Sequence, residues 1–315
     1  MDTILNNNMK YVITTGCSFT NNLRLDPDKL ELQDENRLSW PYFLQKELGD
    51  SYNVLNYGGA TNDNVSMCRI QLYHIDRLIK EGVNPKDISI ITQWSDPTRQ
   101  SVYLDRLFKD SAHHIGHTLV YHNDWREKKG VFFLTGGFSP PDGEDSAIHY
   151  FGIDNAIKYW ELDINWDSII NQTMHWLELW VLLEKTCNEL GIQSYYMSMR
   201  NPYSKESKEC HFGAPENNSD IPTKSLWFED YEVLKPYLDK LPIDSDKHWH
   251  YKNYCGLLEW SIDNRTDEYD LFQEFKWDEV NTYEEYLKVQ PNGWGHPSPE
   301  MMERFVKEEL LPMIK

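Results

Sequence analysis

The stretch Lys10-Tyr11-Val12-Ile13-Thr14-Thr15-Gly16-Cys17-Ser18-Phe19-Thr20 decides how the chain is read. Tyr11 to Ile13 is a short apolar, partly β-branched run, the pattern of a buried strand. Gly16 breaks the run, and Ser18 follows just after it. The next long apolar-periodic segment begins only near Trp40. A serine on a tight turn at the C-terminal end of the first strand of an α/β sheet stands where such folds place their ligands. Its hydroxyl would point into a crevice, and the backbone N–H groups of the turn could hold an anion. A plain strand-ending turn accounts for Gly16-Cys17-Ser18 equally well.

Further along, strands and helices alternate. Trp40 to Leu48 reads as a helix with Ser39 as its cap, Pro41 in its first turn and Gly49 as its stop. Tyr52 to Leu55 is a second strand. Thr61 to about Glu81 is a second helix, with Val65, Cys68, Leu72, Ile75, Leu78 and Ile79 at helical spacing. Ile88 to Thr92 is a third strand. Ile164 to Leu190 reads as a long apolar helix, Ile192 to Met199 as a strand suited to a central position, and Pro299 to Ile314 as a closing helix that Ser298 would cap. In that last helix Met302, Phe305, Leu310 and Leu311 form the core face. This rhythm predicts parallel βαβ units. Two blocks interrupt it, at about 97–163 and 201–286, and both are expected to be insertions into a single domain spanning residues 1–315. Short helices are expected within Leu226 to Leu241 and Asn253 to Ile262.

The composition excludes several classes of function. With 40% hydrophobic and 14% aromatic residues, the 315-residue chain can bury a substantial core and is not disordered. A net charge of −20 argues against nucleic acid or an anionic membrane as a partner, since both need a basic footprint. No apolar run approaches the length of a membrane span, and the polar opening residues do not form a signal peptide, so a cytoplasmic setting is expected. The five cysteines are odd in number and scattered, the usage of reduced thiols and not of a disulfide scaffold.

Four blocks in order carry a resemblance. They are Gly16-Cys17-Ser18-Phe19-Thr20, Gly58-Gly59-Ala60-Thr61-Asn62-Asp63, Thr92-Gln93-Trp94-Ser95-Asp96-Pro97-Thr98-Arg99 and His296-Pro297-Ser298. This ordered set resembles the SGNH (GDSL-like) hydrolases, esterases and deacylases, and the Trp94-Ser95 and Arg99 pattern resembles a branch common in phage genomes. The resemblance implies a flavodoxin-like three-layer α/β/α sandwich with a mainly parallel sheet. Ser18 takes the place of the family's nucleophile, with Cys17 where the family has Asp. His296 takes the place of its base, and the N–H groups of Ser18 and Gly59 that of its oxyanion donors. Asn62, Trp94, Ser95 and Arg99 are expected to line the substrate site.

The chemistry asks for the same parts. A serine hydroxyl is a poor nucleophile until a base takes its proton, and acyl transfer needs donors aimed at the developing oxyanion. Of eleven histidines, His296 stands on a loop before the last helix, where Pro297 biases it away from helical geometry. Two departures from the family matter. Gln93-Trp94-Ser95 replaces the block whose asparagine donates to the oxyanion. Gly293 occupies the position of the acid that orients the histidine, and no acidic residue lies between Val289 and His296. Loss of an orienting acid costs about ten-thousandfold in a working triad.

The expected function is therefore a serine esterase acting on an O-acyl ester, most simply an acetyl ester on a carbohydrate or small molecule, with no cofactor or metal. The alternative is a catalytically impaired relative, a phage binding or structural protein that keeps the crevice. His248 and His250 with Cys210, His211 and Cys255, or the trio His113, His114 and His117, offer zinc-ligand types, but their spacing matches no closed structural site.

Overall fold

The computed structural model describes residues 9–17, 19–20, 38–59, 62–95, 100–104, 118–119, 131–135, 169–199, 228, 231–252, 254, 256–264, 297 and 299–314. Five parallel strands form the main sheet: β1 (Lys10–Thr15), β2 (Tyr52–Asn56), β3 (Ile88–Trp94), β7 (Gln193–Ser198) and β8 (His248–Trp249). They lie in the order β2-β1-β3-β7-β8, so strands two and three flank strand one. Ile13 on β1 sits opposite both Leu55 on β2 and Ile90 on β3. β1 and β3 are buried almost throughout, whereas β2, at the edge, is half-exposed. That explains why the central strands read as apolar runs without alternation. The protein has an α/β fold.

Helices cover both faces. α2 (Asn64–Lys80) and α3 (Ile169–Leu190) pack on the face that carries Thr92 and Tyr196. Asp63 caps α2 by accepting the Ser66 N–H at 2.9 Å and its hydroxyl at 2.6 Å, so the helix starts three residues later than its apolar spacing suggests. α3 is described from Ile169, and residues 164–168 of the expected helix lie outside the described residues. The other face carries α1 (Trp40–Leu48) and the closing helix, which runs as α6 (Pro299–Phe305), a π turn (Val306–Leu310) and a last α turn (Leu311–Ile314). The expected core face of this closing helix is buried in full. Ser39 stands at the N-cap of α1, but its hydroxyl donates to the Thr20 carbonyl at 2.8 Å and makes no cap bond. The Lys46–Glu303 ion pair between α1 and α6 is exposed at 3.3 Å. Such a pair contributes at most about 1 kcal/mol, so buried Phe43, Leu44, Met302 and Phe305 hold that contact.

Both interrupting blocks carry strands, and one expectation about them needs correction. Block 97–163 contains β4 (Gln100–Leu104), β5 (Thr118–Leu119) and β6 (Val131–Thr135). They form a separate antiparallel sheet in the order β4-β6-β5. Block 201–286, read as an insertion, supplies β8, which pairs with β7 and extends the main sheet. The short helices α4 (Lys235–Leu238) and α5 (Leu257–Asp263) flank β8 in the chain, as expected.

The β7–β8 side is held by a rich set of contacts. Trp94, Trp176, Trp180 and Tyr196 are buried against one another, with Trp94 and Trp180 centroids 4.8 Å apart. Beside them Glu184 of α3 accepts Lys247 Nζ at 2.6 Å, Ser194 Oγ at 2.6 Å and Tyr196 Oη at 2.9 Å. Burial pushes the Glu184 carboxyl up, but these three partners outweigh it and hold it below the usual carboxylate range. Among the described residues, no helix is long and apolar enough to cross a membrane.

His248 and His250 stack at the end of β8, rings 4.1 Å apart at 16°. His248 Nδ1 lies 3.1 Å from the Trp249 carbonyl and His250 Nε2 2.5 Å from the Ile243 carbonyl, so each ring donates there. Burial pulls both below the usual histidine range, and His250 adds to the effect on His248. In the unfolded chain these rings take up protons near pH 6.5, which the folded chain resists, so their contribution to stability is lost as pH falls below about 6.5. Thermal melts at about pH 7.5 and about pH 5.5 should show a larger drop in Tm for the wild type than for His248→Gln.

Candidate functional site

The C-terminal ends of β1, β2 and β3 meet where the chain, having gone from β1 to β2, crosses back over β1 to β3. In open parallel sheets this reversal leaves a crevice outside the strand ends. Three polar turns occupy it.

The first turn leaves β1 through Gly16 and Cys17, and the Thr20 N–H closes it on the Cys17 carbonyl at 2.9 Å. A Cβ on Gly16 would fall 2.0 Å from Thr20 Oγ1, so only glycine lets the turn fold this tightly. Thr20 is fully buried and is the anchor. Its carbonyl accepts Ser39 Oγ and Asn56 Nδ2, each at 2.8 Å. Its hydroxyl accepts the Trp40 indole N–H at 3.1 Å and donates to Gln93 Oε1 at 2.6 Å.

The second turn leaves β2. Asn56 Oδ1 accepts the Gly58 N–H at 2.9 Å, and Tyr57 N–H donates to the Thr14 carbonyl at 2.8 Å. The ring of Tyr57 stacks on His74 of α2 at 3.6 Å. A Cβ on Gly58 would lie 2.7 Å from the Thr20 carbonyl carbon, so the two turns touch backbone to backbone. Gly59 N–H then donates to the Gly16 carbonyl at 3.0 Å, and Asn62 Nδ2 donates to the same oxygen at 3.0 Å. Two donors thus converge on one acceptor, two residues before Ser18. An incoming oxyanion would compete with that carbonyl for the Gly59 N–H, while the second Nδ2 hydrogen of Asn62 stays unassigned. Asn62 is fully buried, and its Oδ1 has no hydrogen-bond partner among the described residues.

The third turn leaves β3. Asn64, the first residue of α2, clasps Ser95 from both sides: its Oδ1 accepts the Ser95 N–H at 2.7 Å and its Nδ2 donates to the Ser95 carbonyl at 3.1 Å. The Ser95 hydroxyl is buried and makes no hydrogen bond among the described residues. Trp94, expected to line the site, is instead fully buried in the aromatic cluster on the α2–α3 face. β-strand alternation sends its ring to the face opposite Gln93.

Of the expected site residues, Gly59 and Asn62 meet at the Gly16 carbonyl, and Ser95 is held by Asn64 just after β3. Ser18, His296 and Arg99 lie outside the described residues, as do Cys210, His211, Cys255 and the His113, His114 and His117 trio. Among the described residues no group of His, Cys, Asp or Glu is arranged to hold a metal ion. Sequence reasoning passed over Asn56, Asn64 and Gln93. A signal existed for one of them: Asn56 ends β2, and Asx is the residue type that hydrogen-bonds nearby backbone.

No protein-family model matches the chain, and comparisons with curated proteins and with solved structures find no match.

Replacing Gly58 with Ala should force the Thr20 backbone to move and destabilise the protein by about 1–3 kcal/mol in urea unfolding. A change of less than about 0.5 kcal/mol would contradict the close approach of the two turns.

Proposed function

We propose that the chain is a serine ester hydrolase of SGNH type, on a flavodoxin-like three-layer sandwich elaborated by its two long blocks. The observation that carries this reading is the convergence of Gly59 N–H and Asn62 Nδ2 beside the β1 turn, at the strand-order reversal. The order β2-β1-β3-β7-β8, counted within the main sheet alone, is 2-1-3-4-5, which supports the flavodoxin-like assignment.

In this reading Ser18 Oγ attacks the acyl carbonyl as His296 takes its proton. The negative charge develops toward the N–H groups of Ser18 and Gly59, with Asn62 beside them. His296 then returns the proton to the leaving alkoxide. Water, deprotonated by the same histidine, releases the acid from the acyl-enzyme. The substrate is an O-acyl ester, an acetyl ester on a carbohydrate being the simplest case.

One observation favours a second reading, a binding protein that keeps the crevice without the chemistry. The Gly59 N–H is already engaged by the Gly16 carbonyl, and no acidic residue lies between Val289 and His296. Labelling with a fluorophosphonate probe separates the two readings. The wild type should label and Ser18→Ala should not. Folded wild-type protein that fails to label, or Ser18→Ala protein that labels equally, would overturn the hydrolase.

A further inference from the structure

The serine-hydrolase reading leaves Gln93 without a task, yet its side chain is tightly enclosed. Gln93 is fully buried at the C-terminal end of β3, directly beneath the β1 turn: its Cβ would lie 3.1 Å from a Cβ on Gly16. Its Oε1 receives the Thr20 hydroxyl at 2.6 Å and faces Cys17 Sγ at 3.8 Å. The Trp40 indole N–H donates to the Thr20 oxygen at 3.1 Å, and the Thr20 hydroxyl proton goes to the Gln93 carbonyl oxygen. Gln93 Nε2 has no hydrogen-bond partner among the described residues.

Resting on the serine-hydrolase reading, we infer that Gln93 is a positioning residue for Ser18: through the Thr20 hydroxyl it holds the Gly16–Thr20 turn on the end of β3. Packing alone would be served by leucine or methionine at this site. A buried amide is expensive there unless its acceptor has work to do, because burying an amide group without a full set of partners opposes folding. Thr20 is the only residue that links α1, β2 and β3 to this turn through its own polar atoms among the bonds described above. Cutting the Thr20–Gln93 bond therefore loosens the turn while leaving β1 paired on both sides.

The test uses Thr20→Val and Gln93→Leu, which remove the bond, their double variant, and Thr20→Ser, which restores the hydroxyl. Fluorophosphonate labelling of each single variant should slow by at least about tenfold, with KM for p-nitrophenyl acetate within about twofold of wild type. The double variant should be no slower than the worse single one, since both remove one shared bond. Thr20→Ser should recover to within about threefold. Amide hydrogen exchange supplies a readout independent of turnover: exchange across residues 16–20 should quicken in Thr20→Val, while residues 11–15 stay protected. Labelling rates within about twofold of wild type in folded single variants, or additive losses in the double, would overturn the inference. Wild-type protein that never labels, with exchange faster in the variant, would end the hydrolase reading but keep Gln93 as the holder of the turn. Unchanged exchange would end the positioning role in either case.

Discussion

The hydrogen bond from the Thr20 hydroxyl to the Gln93 amide ties the first turn of the sheet to its third strand. Around it the geometry leaves little room. Gly16 must be glycine because Thr20 Oγ1 stands where its Cβ would go, and Gly58 must be glycine because the Thr20 backbone stands where its own would go. The Thr20 carbonyl gathers Ser39 ahead of α1 and Asn56 at the end of β2. One residue, through its backbone carbonyl and its hydroxyl, thereby ties together three strand ends at the strand-order reversal.

The opposite half of the sheet is organised by a different kind of contact. Trp94, Trp176, Trp180 and Tyr196 fill the α2–α3 face near the end of β3, and large aromatic surfaces of this kind dominate core energetics. Glu184 sits beside them with its burial offset by Lys247, Ser194 and Tyr196. That arrangement recruits Lys247, and with it β8, to a sheet whose other strands come from distant segments of the chain. At the far end Glu309 receives the indole N–H groups of Trp249 at 3.0 Å and Trp260 at 3.1 Å, joining β8 and α5 to the closing helix. The π turn that holds Glu309 is the local distortion that accompanies this double clasp.

The site was partly legible in the residues. The glycines of the first two turns and Asn62 were marked by their types: a glycine after an apolar run signals a turn, and an Asx residue near one signals side-chain bonding to backbone. Trp94 was misleading because a tryptophan at a strand end reads the same whether its ring faces a ligand or a core. The alternation that sends Gln93 under the turn also sends Trp94 to the opposite face, and the packing of α3 there decides the outcome. The direction of the Gly59 N–H was equally illegible. It depends on Gly16, far away in the chain, presenting its carbonyl across the gap.

By itself the sequence determined the parallel α/β rhythm, the three apolar strands that begin it, the long helices and the buried face of the closing helix. These follow from periodicity and capping, which act within a few residues. Only the tertiary structure decided that His248 and Trp249 become a fifth strand, that block 97–163 holds an antiparallel sheet, and that Thr20 and Gln93 join beneath the first turn. A two-residue strand has no period to read, and a hydrogen bond between residues 73 positions apart leaves no local trace. Both exist because backbone and buried polar groups must find partners once water is excluded, and the partner is chosen by the fold.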